Sequence, residues 1–388
     1  MMAKDDNAKR AIALHKKLGG KIRIAPTMPI KNKVDLSLVY TPGVAAVSVL
    51  VAKNKKLARE YTIKGKMIAV ISDGSAVLGL GNIGALGALP VMEGKCALFK
   101  TFADVDAFPI VLDPSTSLRA STQKYVDFIV ETICAIAPAF GGINLEDFAA
   151  PNCFEIEERV KKALDIPVMH DDQHGTAIAV LAALINAAKV VKKDLKKLKV
   201  VIVGAGAAGT AVTKLLLLAG VRDVVVLDSR GVLNQSRKEK HKKELAKKTN
   251  PRKIKGDLRE ALLGADAVVG VSGPGLLRAA DIKQMAPRAI VFALANPTPE
   301  ILPGEAKAGG AAVVATGRSD YPNQINNSLV FPGVFRGALD NRVQKITDVM
   351  KLQAAKNLSA LTKKPTADKI ISGPFDRGVM QAVARAVK

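Results

Sequence analysis

The chain has 388 residues, a net charge of +23, three cysteines and no tryptophan. This length exceeds what one hydrophobic core usually holds, so we expect two domains. The cysteines are dispersed and form no Cys-x-x-Cys pair, which argues against a disulfide scaffold and a zinc site and favours a reducing, cytoplasmic location.

The first residues, up to Gly19-Gly20, have a helical pattern, and the proline-interrupted segment 21–44 is expected to be mostly extended or loop. Residues 66–112 are predicted to form a strand, a glycine-rich turn, a helix and a second strand. Helices near 122–137 and 154–164 follow, and then the short strand IPVMHDD and a small-residue helix from about His174. The second half of the chain contains the predicted strands VVIV, VVVLD, DAVVGVS, AIVFALAN and AAVVATG. The tail from Gly333 is predicted to be helical and polar.

Alternation of strands and helices implies parallel sheets in both halves of the chain, so the fold class is α/β. We place the domain boundary inside or just before the small-residue helix, at about residue 160. Residues 1–160 then form an N-terminal α/β domain, and residues 161–388 form a Rossmann-like dinucleotide-binding domain with a helical C-terminal tail.

The strong positive charge makes nucleic acid the first partner to consider, because lysine clusters release counterions from phosphates. The lysines are spread over the chain, however, and their densest run, residues 236–256, alternates with acids. We therefore expect an acidic small molecule and not nucleic acid. The N-terminus lacks the apolar core of a signal peptide. The longest apolar run, AIAVLAALINAA, is shorter than the ~20 residues of a membrane span, so no membrane association is expected.

The segment VVIVGAGAAG contains the clearest motif. Its glycine turn follows an apolar strand and opens a helix, which allows the backbone to approach a pyrophosphate closely. The next strand ends in Asp228, where a carboxylate can bind the adenine ribose. The expected cofactor-binding residues are Gly204, Gly206, Ala207, Ala208, Gly209 and Asp228. Asp228 favours NAD, whereas Arg230 favours NADP by pairing with a 2′-phosphate, so both cofactors stay open.

A second glycine motif, GLGNIG at residues 79–84, also fits the dinucleotide pattern. The polar break Asp73-Gly74-Ser75 separates it from the preceding strand, and a second dinucleotide site is not expected in a chain of this size. We interpret GLGNIG as a loop that shapes the wall of the active site.

The stretch HDDQH places Asp171 and Asp172 between His170 and His174, directly before an apolar segment. Burying a carboxylate without a partner is costly, so either this pair is solvated or a positive charge lies beside it. A histidine-rich metal site would favour zinc or iron. We expect His174 to start the helix or to support the site.

Seven stretches taken together indicate a family. They are YTPGV at 40–44, SDGSAVLGLGNIG at 72–84, VMEGKCALFK at 91–100, GINLEDF at 142–148, HDDQHGTA at 170–177, ALANPTPE at 293–300 and NQINNSLVFPG at 323–333. This set resembles the malic enzymes, in particular their short prokaryotic form. The resemblance implies oxidative decarboxylation of (S)-malate to pyruvate and CO₂, with NAD or NADP as the cofactor and Mg²⁺ or Mn²⁺ as the divalent metal. It also implies that the protein can decarboxylate oxaloacetate.

The resemblance also implies roles for individual residues. It assigns the general acid to Tyr40, the general base to Lys95, metal ligation to Glu146, Asp147 and Asp172, a supporting catalytic role to Asp171, and substrate carboxylate contacts to Asn296 and Asn327. Asn296 is expected to contact the cofactor as well. No ligand falls on either histidine of HDDQH.

The implied chemistry suits these residue types. Three carboxylates supply hard oxygen ligands for Mg²⁺ or Mn²⁺. Lys95 must be neutral to accept the proton of the malate C2 hydroxyl, so we expect burial or a neighbouring cation to lower its pKa. Larger eukaryotic relatives carry an arginine where this chain has Ala76, so a backbone amide or another cation must take that role.

Two other enzyme classes stay open. One is a dehydrogenase of another acid that shares the dinucleotide domain, and the other is an oxaloacetate or malolactic decarboxylase that retains the cofactor. The three carboxylates argue against the first, because such dehydrogenases generally need no metal. Since family members are typically dimers or larger, we expect a homodimer or higher homo-oligomer, with Tyr40 acting in its own or in a neighbouring subunit.

Overall fold

The computed structural model describes residues 2–114, 118 and 121–388, and it confirms two α/β domains. Four helices come first: α1 (Met2–Leu18), α2 (Lys33–Val39), α3 (Val44–Lys53) and α4 (Ala58–Tyr61). The first domain continues with β1 (Met67–Ser72), α5 (Gly84–Ala103), β2 (Asp106–Val111), α6 (Thr122–Ile136), β3 (Gly142–Leu145), α7 (Asn152–Ala163), β4 (Val168–His170) and α8 (Asp171–Val190).

The second domain contains β5 (Lys199–Val203), α9 (Ala207–Leu218), β6 (Asp223–Asp228), β7 (Gly231–Val232), α10 (Lys240–Lys248), α11 (Leu258–Leu262), β8 (Ala267–Gly270), α12 (Ala279–Lys283), β9 (Ala289–Ala293), α13 (Pro303–Ala308) and β10 (Ala311–Thr316). The C-terminal region contains α14 (Phe331–Asp340), α15 (Asp348–Leu361) and α16 (Val379–Ala384).

The first domain is built on a parallel sheet with the strand order β2-β1-β3-β4. Ile68 and Val70 of β1 pack with α5 and α8, whereas Ala69 and Ile71 pack with α6 and α7. Helices therefore cover both faces, which explains why the central strand is a continuous apolar run. The carboxyl ends of all four strands lie at one edge of this sheet.

The second sheet has the order β10-β9-β8-β5-β6-β7 and is parallel except for the edge strand β7. Val200 and Ile202 of β5 pack with α8 and α9, whereas Val201 and Val203 pack with α11, α12 and α13. Helix α8 is buried along most of its length. Its apolar residues belong to a core cluster that contains residues of both sheets, so α8 joins the two domains.

The first sheet extends beyond the predicted domain boundary at residue 160. Strand β4 pairs with β3, with His170 opposite Leu145, so the N-terminal sheet is complete only at His170. Helix α8 begins at Asp171, earlier than the predicted start near His174. Asp171 and Asp172 consequently lie in the first helical turn, where the helix dipole favours negative charge.

The N-terminal segment contains a helix where extended chain or loop was expected. Helix α2 contains no proline, and the Asn32 side chain caps it by accepting a hydrogen bond from the Asp35 backbone N at 2.9 Å. Residues 33–53, which include α2 and α3, are apolar and long enough for a membrane span by composition, and none of them is buried. Tyr40 has non-helical backbone angles between α2 and α3, so each helix is shorter than the ~20 residues of a span.

The C-terminal tail is less polar than predicted. Phe331 and Phe335 of α14 contact Phe99 of α5 edge to face, with ring centroids 4.7 and 5.6 Å apart. All three rings are fully buried, and this geometry is favourable for aromatic pairs. The chain thus returns from the dinucleotide-binding domain and packs α14 onto the first domain.

Candidate active site

The acidic residues lie where two neighbouring strands end. Glu146 and Asp147 directly follow β3, and Asp171 and Asp172 directly follow β4. The two strands are parallel and paired, so their carboxyl ends meet at one edge of the sheet. Residues that are distant in the sequence are thereby brought together.

Three of these carboxylates can hold one metal ion. Oxygen atoms of Glu146, Asp147 and Asp172 lie within 4.8 Å of one another. The first two side chains are almost completely buried, and that of Asp172 is 30% exposed. Hydrogen bonds orient two of the three carboxylates: Asp147 N donates to Asp172 Oδ2 at 2.8 Å, and Asn144 Nδ2 donates to Glu146 Oε2 at 3.0 Å. A buried, all-oxygen donor set suits Mg²⁺ or Mn²⁺.

Lys95 lies beside the carboxylates. It projects from α5, and its Nζ is 2.5 Å from Asp171 Oδ2 and 2.9 Å from Glu146 Oε1. The same Nζ is 4.5 Å from the centre of the Phe331 ring, which favours a cation. Asp171 Oδ1 is buried and has no hydrogen-bond partner among the described residues. The sequence did not predict the contact with Phe331.

The pKa of Lys95 differs from the expectation that it would be lowered. Burial lowers the pKa of Lys95, but the opposing effect of Asp171, Glu146 and Asp172 is larger, so the pKa is raised. Burial and neighbouring carboxylates also raise the pKa of Glu146 well above its usual range, and burial raises that of Asp171 to about 6. The lowered pKa expected for Lys95 is therefore wrong for this arrangement, because acids and no cation surround the ammonium. The site holds more negative charge than one lysine can neutralise.

The two histidines of HDDQH, His170 and His174, both contact the buried acid Glu157. His174 Nε2 contacts the Glu157 carboxylate at 2.9–3.0 Å, and Glu157 also accepts a hydrogen bond from His170 N at 3.0 Å. Burial lowers the pKa of His174 to about 4, so the ring is neutral at pH 7. His170 is fully buried, with Nε2 at 3.8 Å from Asp172 Oδ2. Glu157 was not among the predicted residues, although it lies on the apolar face of α7 formed by Cys153 and Val160, and an acid on such a face is a signal of a buried polar contact.

The two predicted substrate-binding asparagines lie on segments that contact the first domain. Asn296 follows β9, and a Cβ added to Gly79 would lie 1.8 Å from the Asn296 carbonyl oxygen. The GLGNIG loop therefore packs directly on Asn296, which agrees with its interpretation as a wall. Asn327 lies against Gly175, one turn after Asp171, since a Cβ on Gly175 would be 3.0 Å from the Asn327 Cβ.

Tyr40 is not joined to this cluster. Tyr40 is 66% exposed at the end of α2, and α2 and α3 contain no buried residue. No hydrogen bond links the Tyr40 hydroxyl to Lys95 or to the carboxylates within the described part of the chain. The structure of one chain therefore leaves the predicted general acid outside the site.

The predicted dinucleotide turn has the geometry that a pyrophosphate requires. Gly204 has a φ of +118°, and a Cβ on Gly209 would lie 1.8 Å from the Gly204 carbonyl oxygen. No atom approaches a Cβ position on Gly206 within 4 Å, so the backbone is open to a ligand. Ala207 begins α9, whose N-terminus favours an anion, and it packs against the core of the first domain. The turn thus fits a dinucleotide and adjoins the first domain.

Asp228 lies at the end of β6, beside Gly204, whose N donates to Leu227 O at 3.0 Å. The carboxylate is bound by Arg237 and Lys242 at 3.0–3.1 Å. Asp228 was predicted from its position after the strand, but these two cations were not, because a lysine-rich segment resembles an ordinary solvated helix and loop.

Comparisons with known proteins agree with this geometry. Residues 19–161 match the family "Malic enzyme, N-terminal domain", and residues 173–387 match "Malic enzyme, NAD binding domain". The chain is similar to the NAD-dependent malic enzyme of Geobacillus stearothermophilus, with 51% identity over 97% of this chain and 77% of the relative. It is 50% identical to the bifunctional malic/malolactic enzyme of Bacillus subtilis, over 97% of this chain and 91% of the relative.

The NADP-dependent malic enzyme of Rhizobium meliloti is 44% identical over 95% of this chain and 50% of its own length. The crystal structure of the NAD-dependent malic enzyme from Thermotoga maritima superposes with a TM-score of 0.92, at 46% identity, covering 97% of this chain and 98% of that one. The chain belongs to the malic enzyme family of NAD(P)-dependent oxidoreductases.

Proposed function

We propose that this protein catalyses the metal-dependent oxidative decarboxylation of (S)-malate to pyruvate and CO₂ with reduction of NAD⁺ or NADP⁺, and that it also decarboxylates oxaloacetate. The observation that supports this most directly is Lys95, held between Asp171 and Glu146 at the edge of three converging carboxylates. A base beside a dication site, next to a dinucleotide turn, provides the groups that oxidation of a hydroxy acid needs.

Glu146, Asp147 and Asp172 would hold Mg²⁺ or Mn²⁺. Bound there, the dication would act as a Lewis acid that stabilises negative charge on the C2 oxygen of the substrate during both oxidation and decarboxylation. The protein's contribution is to fix two of the three carboxylates in advance, through the bond from Asp147 N to Asp172 and that from Asn144 to Glu146.

Lys95 is proposed to accept the proton of the C2 hydroxyl. Its Nζ is held in place by Asp171, and the Phe331 ring covers it. Lys95 can release its resting proton once part of the surrounding negative charge is neutralised, because those carboxylates are what keep it protonated. Asp171 stays paired with Lys95 and orients the amine toward the substrate.

Asn296 and Asn327 are proposed to bind the substrate carboxylate through their side-chain amides, and Asn296 also adjoins the cofactor. Both lie on segments that close against the first domain, at Gly79 and Gly175. The net charge of +23 would attract an acidic substrate such as malate to the protein.

Tyr40 is proposed to protonate C3 of enolpyruvate. Its exposure, and the exposed apolar residues around it, favour a homodimer in which a second copy covers α2 and α3. A surface of this kind on a folded chain marks an interaction site. Light scattering after gel filtration tests the proposed dimer: a monomer at micromolar concentration would contradict it.

The free cysteines fit a proposed cytoplasmic location.

The activity is tested by following NADH or NADPH absorbance with malate, each nucleotide in turn, with and without Mn²⁺. We expect metal-dependent reduction of at least one nucleotide and formation of pyruvate. Absence of reduction with both nucleotides would contradict the proposal.

A second activity is suggested by the malic/malolactic relative, which resembles this chain over most of its length. Formation of lactate from malate with no net reduction of the nucleotide would identify it. Chromatography of the products, pyruvate against lactate, separates the two activities in one assay.

A further inference from the structure

Glu300 is a buried acid to which the proposed chemistry gives no role. Its exposed fraction is 0%, and none of the ion pairs in the described part of the chain includes it. Burial raises the pKa of this carboxyl, and hydrogen bonds from backbone N–H groups act against the increase. A buried acid without a cation is costly to maintain, so its contacts indicate a function.

The Glu300 carboxylate joins two loops of the dinucleotide-binding domain. Oε1 accepts a hydrogen bond from Ser272 N at 3.0 Å, and Oε2 accepts one from Ala295 N at 3.0 Å. Ser272 follows β8 and Ala295 follows β9, and these two strands are parallel neighbours. The carboxyl ends of such strands form the edge at which a dinucleotide binds. Glu300 therefore bridges two loops at that edge.

Each of the two loops leads to a part of the proposed site. A Cβ on Gly204, the first glycine of the dinucleotide turn, would lie 3.2 Å from the Ser272 Cβ. Ala295 directly precedes Asn296, which is proposed to bind the substrate and to adjoin the cofactor. The bridge through Glu300 thus connects the dinucleotide turn to Asn296.

Close packing holds Glu300 in place. A Cβ on Gly270 of β8 would lie 2.4 Å from Glu300 Cδ, so glycine is what lets the carboxylate approach the strand this closely. The Glu300 carbonyl oxygen accepts a hydrogen bond from Leu277 N at 3.0 Å, and the next residue, Ile301, is buried in the core of the domain. Both the side chain and the backbone of Glu300 are therefore anchored.

We propose that Glu300 is a positioning residue that holds Asn296 at a fixed distance from the dinucleotide turn, so that substrate and nicotinamide meet in the geometry that hydride transfer needs. This inference deepens the proposed function and rests on it. A displacement of about 1 Å at such a site can cost about 10²-fold in rate. Two charge-assisted hydrogen bonds to one planar group resist that displacement.

Hydrogen exchange tests the bridge without malate oxidation, so failure of this inference is distinguishable from failure of the proposed function. Glu300→Met has a side chain of similar length but no acceptor oxygens. In this variant we expect the amides of Ser272 and Ala295 to exchange at least about tenfold faster than in the unmodified full-length protein. Unchanged exchange at either amide would overturn the proposal, because a bridge needs both bonds.

Kinetics and nucleotide binding separate positioning from a structural role. Glu300→Met should lower kcat for malate by about tenfold or more. The dissociation constant of NADH or NADPH, measured by calorimetry, should stay within about threefold, because the turn keeps its own bond from Gly204 N to Leu227 O. An unchanged kcat contradicts the proposal. A loss of nucleotide affinity as large as the loss of kcat also contradicts it, because Glu300 would then support only the turn.

Gly270→Ala tests the same bridge with Glu300 left in place, and it keeps the test decisive if Glu300→Met unfolds. Its Cβ would displace the carboxylate, so kcat should again fall by about tenfold or more. The variant with both changes should be no more than about threefold slower than the slower single variant, because one bridge is broken in each case. Multiplication of the two losses would refute the shared cause.

Two glutamine variants complete the comparison. Glu300→Gln keeps the shape and one acceptor oxygen, so its kcat should lie between those of the unmodified protein and Glu300→Met; a kcat at or below that of Glu300→Met would overturn the proposal. Glu305→Gln is the matched control, because Glu305 is exposed and accepts a hydrogen bond from Ala279 N at 3.1 Å, between α12 and α13. Its kcat should stay within about twofold of the unmodified value. A loss equal to that of Glu300→Gln would remove the special role of Glu300.

Discussion

Replacing Lys95 by methionine tests whether the buried ammonium is what neutralises the carboxylates. In the metal-free protein the change leaves Asp171 and Glu146, both almost completely buried, without their cation. Removing one partner of a buried pair costs about 3–5 kcal/mol. At ~2–4 °C per kcal/mol for a domain of 150–250 residues, the melting temperature should fall by roughly 6–20 °C.

The pH dependence of this loss has a definite sign. Burial raises the pKa of Asp171 to about 6 and that of Glu146 well above its usual range. An acid whose pKa is higher in the folded protein disfavours folding once the pH exceeds its unfolded pKa, and the cost grows until the folded pKa is passed. Lys95→Met should therefore be more destabilised at pH 8 than at pH 5.

Thermal unfolding in the presence of EDTA measures the effect. Lys100→Met is the matched control: it lies on the same helix, but its side chain is 59% exposed and its pairs with Asp104 and Asp106 are at the surface. Such pairs contribute about 0–1 kcal/mol. Equal shifts for the two variants, or a Lys95→Met shift that does not depend on pH, would refute the reasoning. Lys95→Met should also slow malate oxidation by about 10²–10⁴-fold, the usual effect of losing a general base.

Three further outcomes are expected. Mn²⁺ at about 100 times its dissociation constant should raise the free energy of unfolding by about 2.7 kcal/mol, and Asp172→Asn should remove this gain in a denaturant titration. Tyr40→Phe should impair exchange of tritium into pyruvate more than it impairs oxidation of malate, because Tyr40 is assigned to the protonation of C3. Gly79→Ala should lower kcat/KM for malate by about tenfold or more, since its Cβ would lie 1.8 Å from the Asn296 carbonyl oxygen.

Each of these outcomes has a clear opposite. Stabilisation of Asp172→Asn by Mn²⁺ to the same extent as the unmodified protein would remove Asp172 from the metal site. Intact exchange and turnover in Tyr40→Phe would remove its assigned role. Gly304→Ala is the control for Gly79→Ala, because no atom lies within 4 Å of a Cβ there; equal losses in both variants would mean that packing on Asn296 is irrelevant.

The parts of the fold that the sequence predicts are those governed by local patterns. The glycine turn, the strand before it and Asp228 after it follow one another within a single βαβ unit, so their spacing alone places them. The acids of β3 and β4 are predicted to converge only through the family resemblance, because nothing local in LEDF or HDDQ indicates that the two strands are neighbours. The structure supplies that pairing, with Leu145 opposite His170.

The missed features depend on contacts between distant segments. The raised pKa of Lys95 results from Glu146 and Asp171, which lie far from it in the sequence. Arg237 and Lys242 lie in a segment that the sequence predicts to be a solvated helix and loop, whereas the structure shows both bound to Asp228. The expected polar tail was also wrong at Phe335, because α5 provides an apolar surface that the tail sequence does not indicate.

The most direct test of the account is to locate Mn²⁺ by anomalous diffraction from crystals grown with the ion. We predict one strong peak bounded by Glu146, Asp147 and Asp172, each supplying an oxygen at about 2.0–2.2 Å, close to the distances of other hard divalent ions. A peak elsewhere, or one held by His170 in place of these carboxylates, would contradict the central claim that they form the metal site.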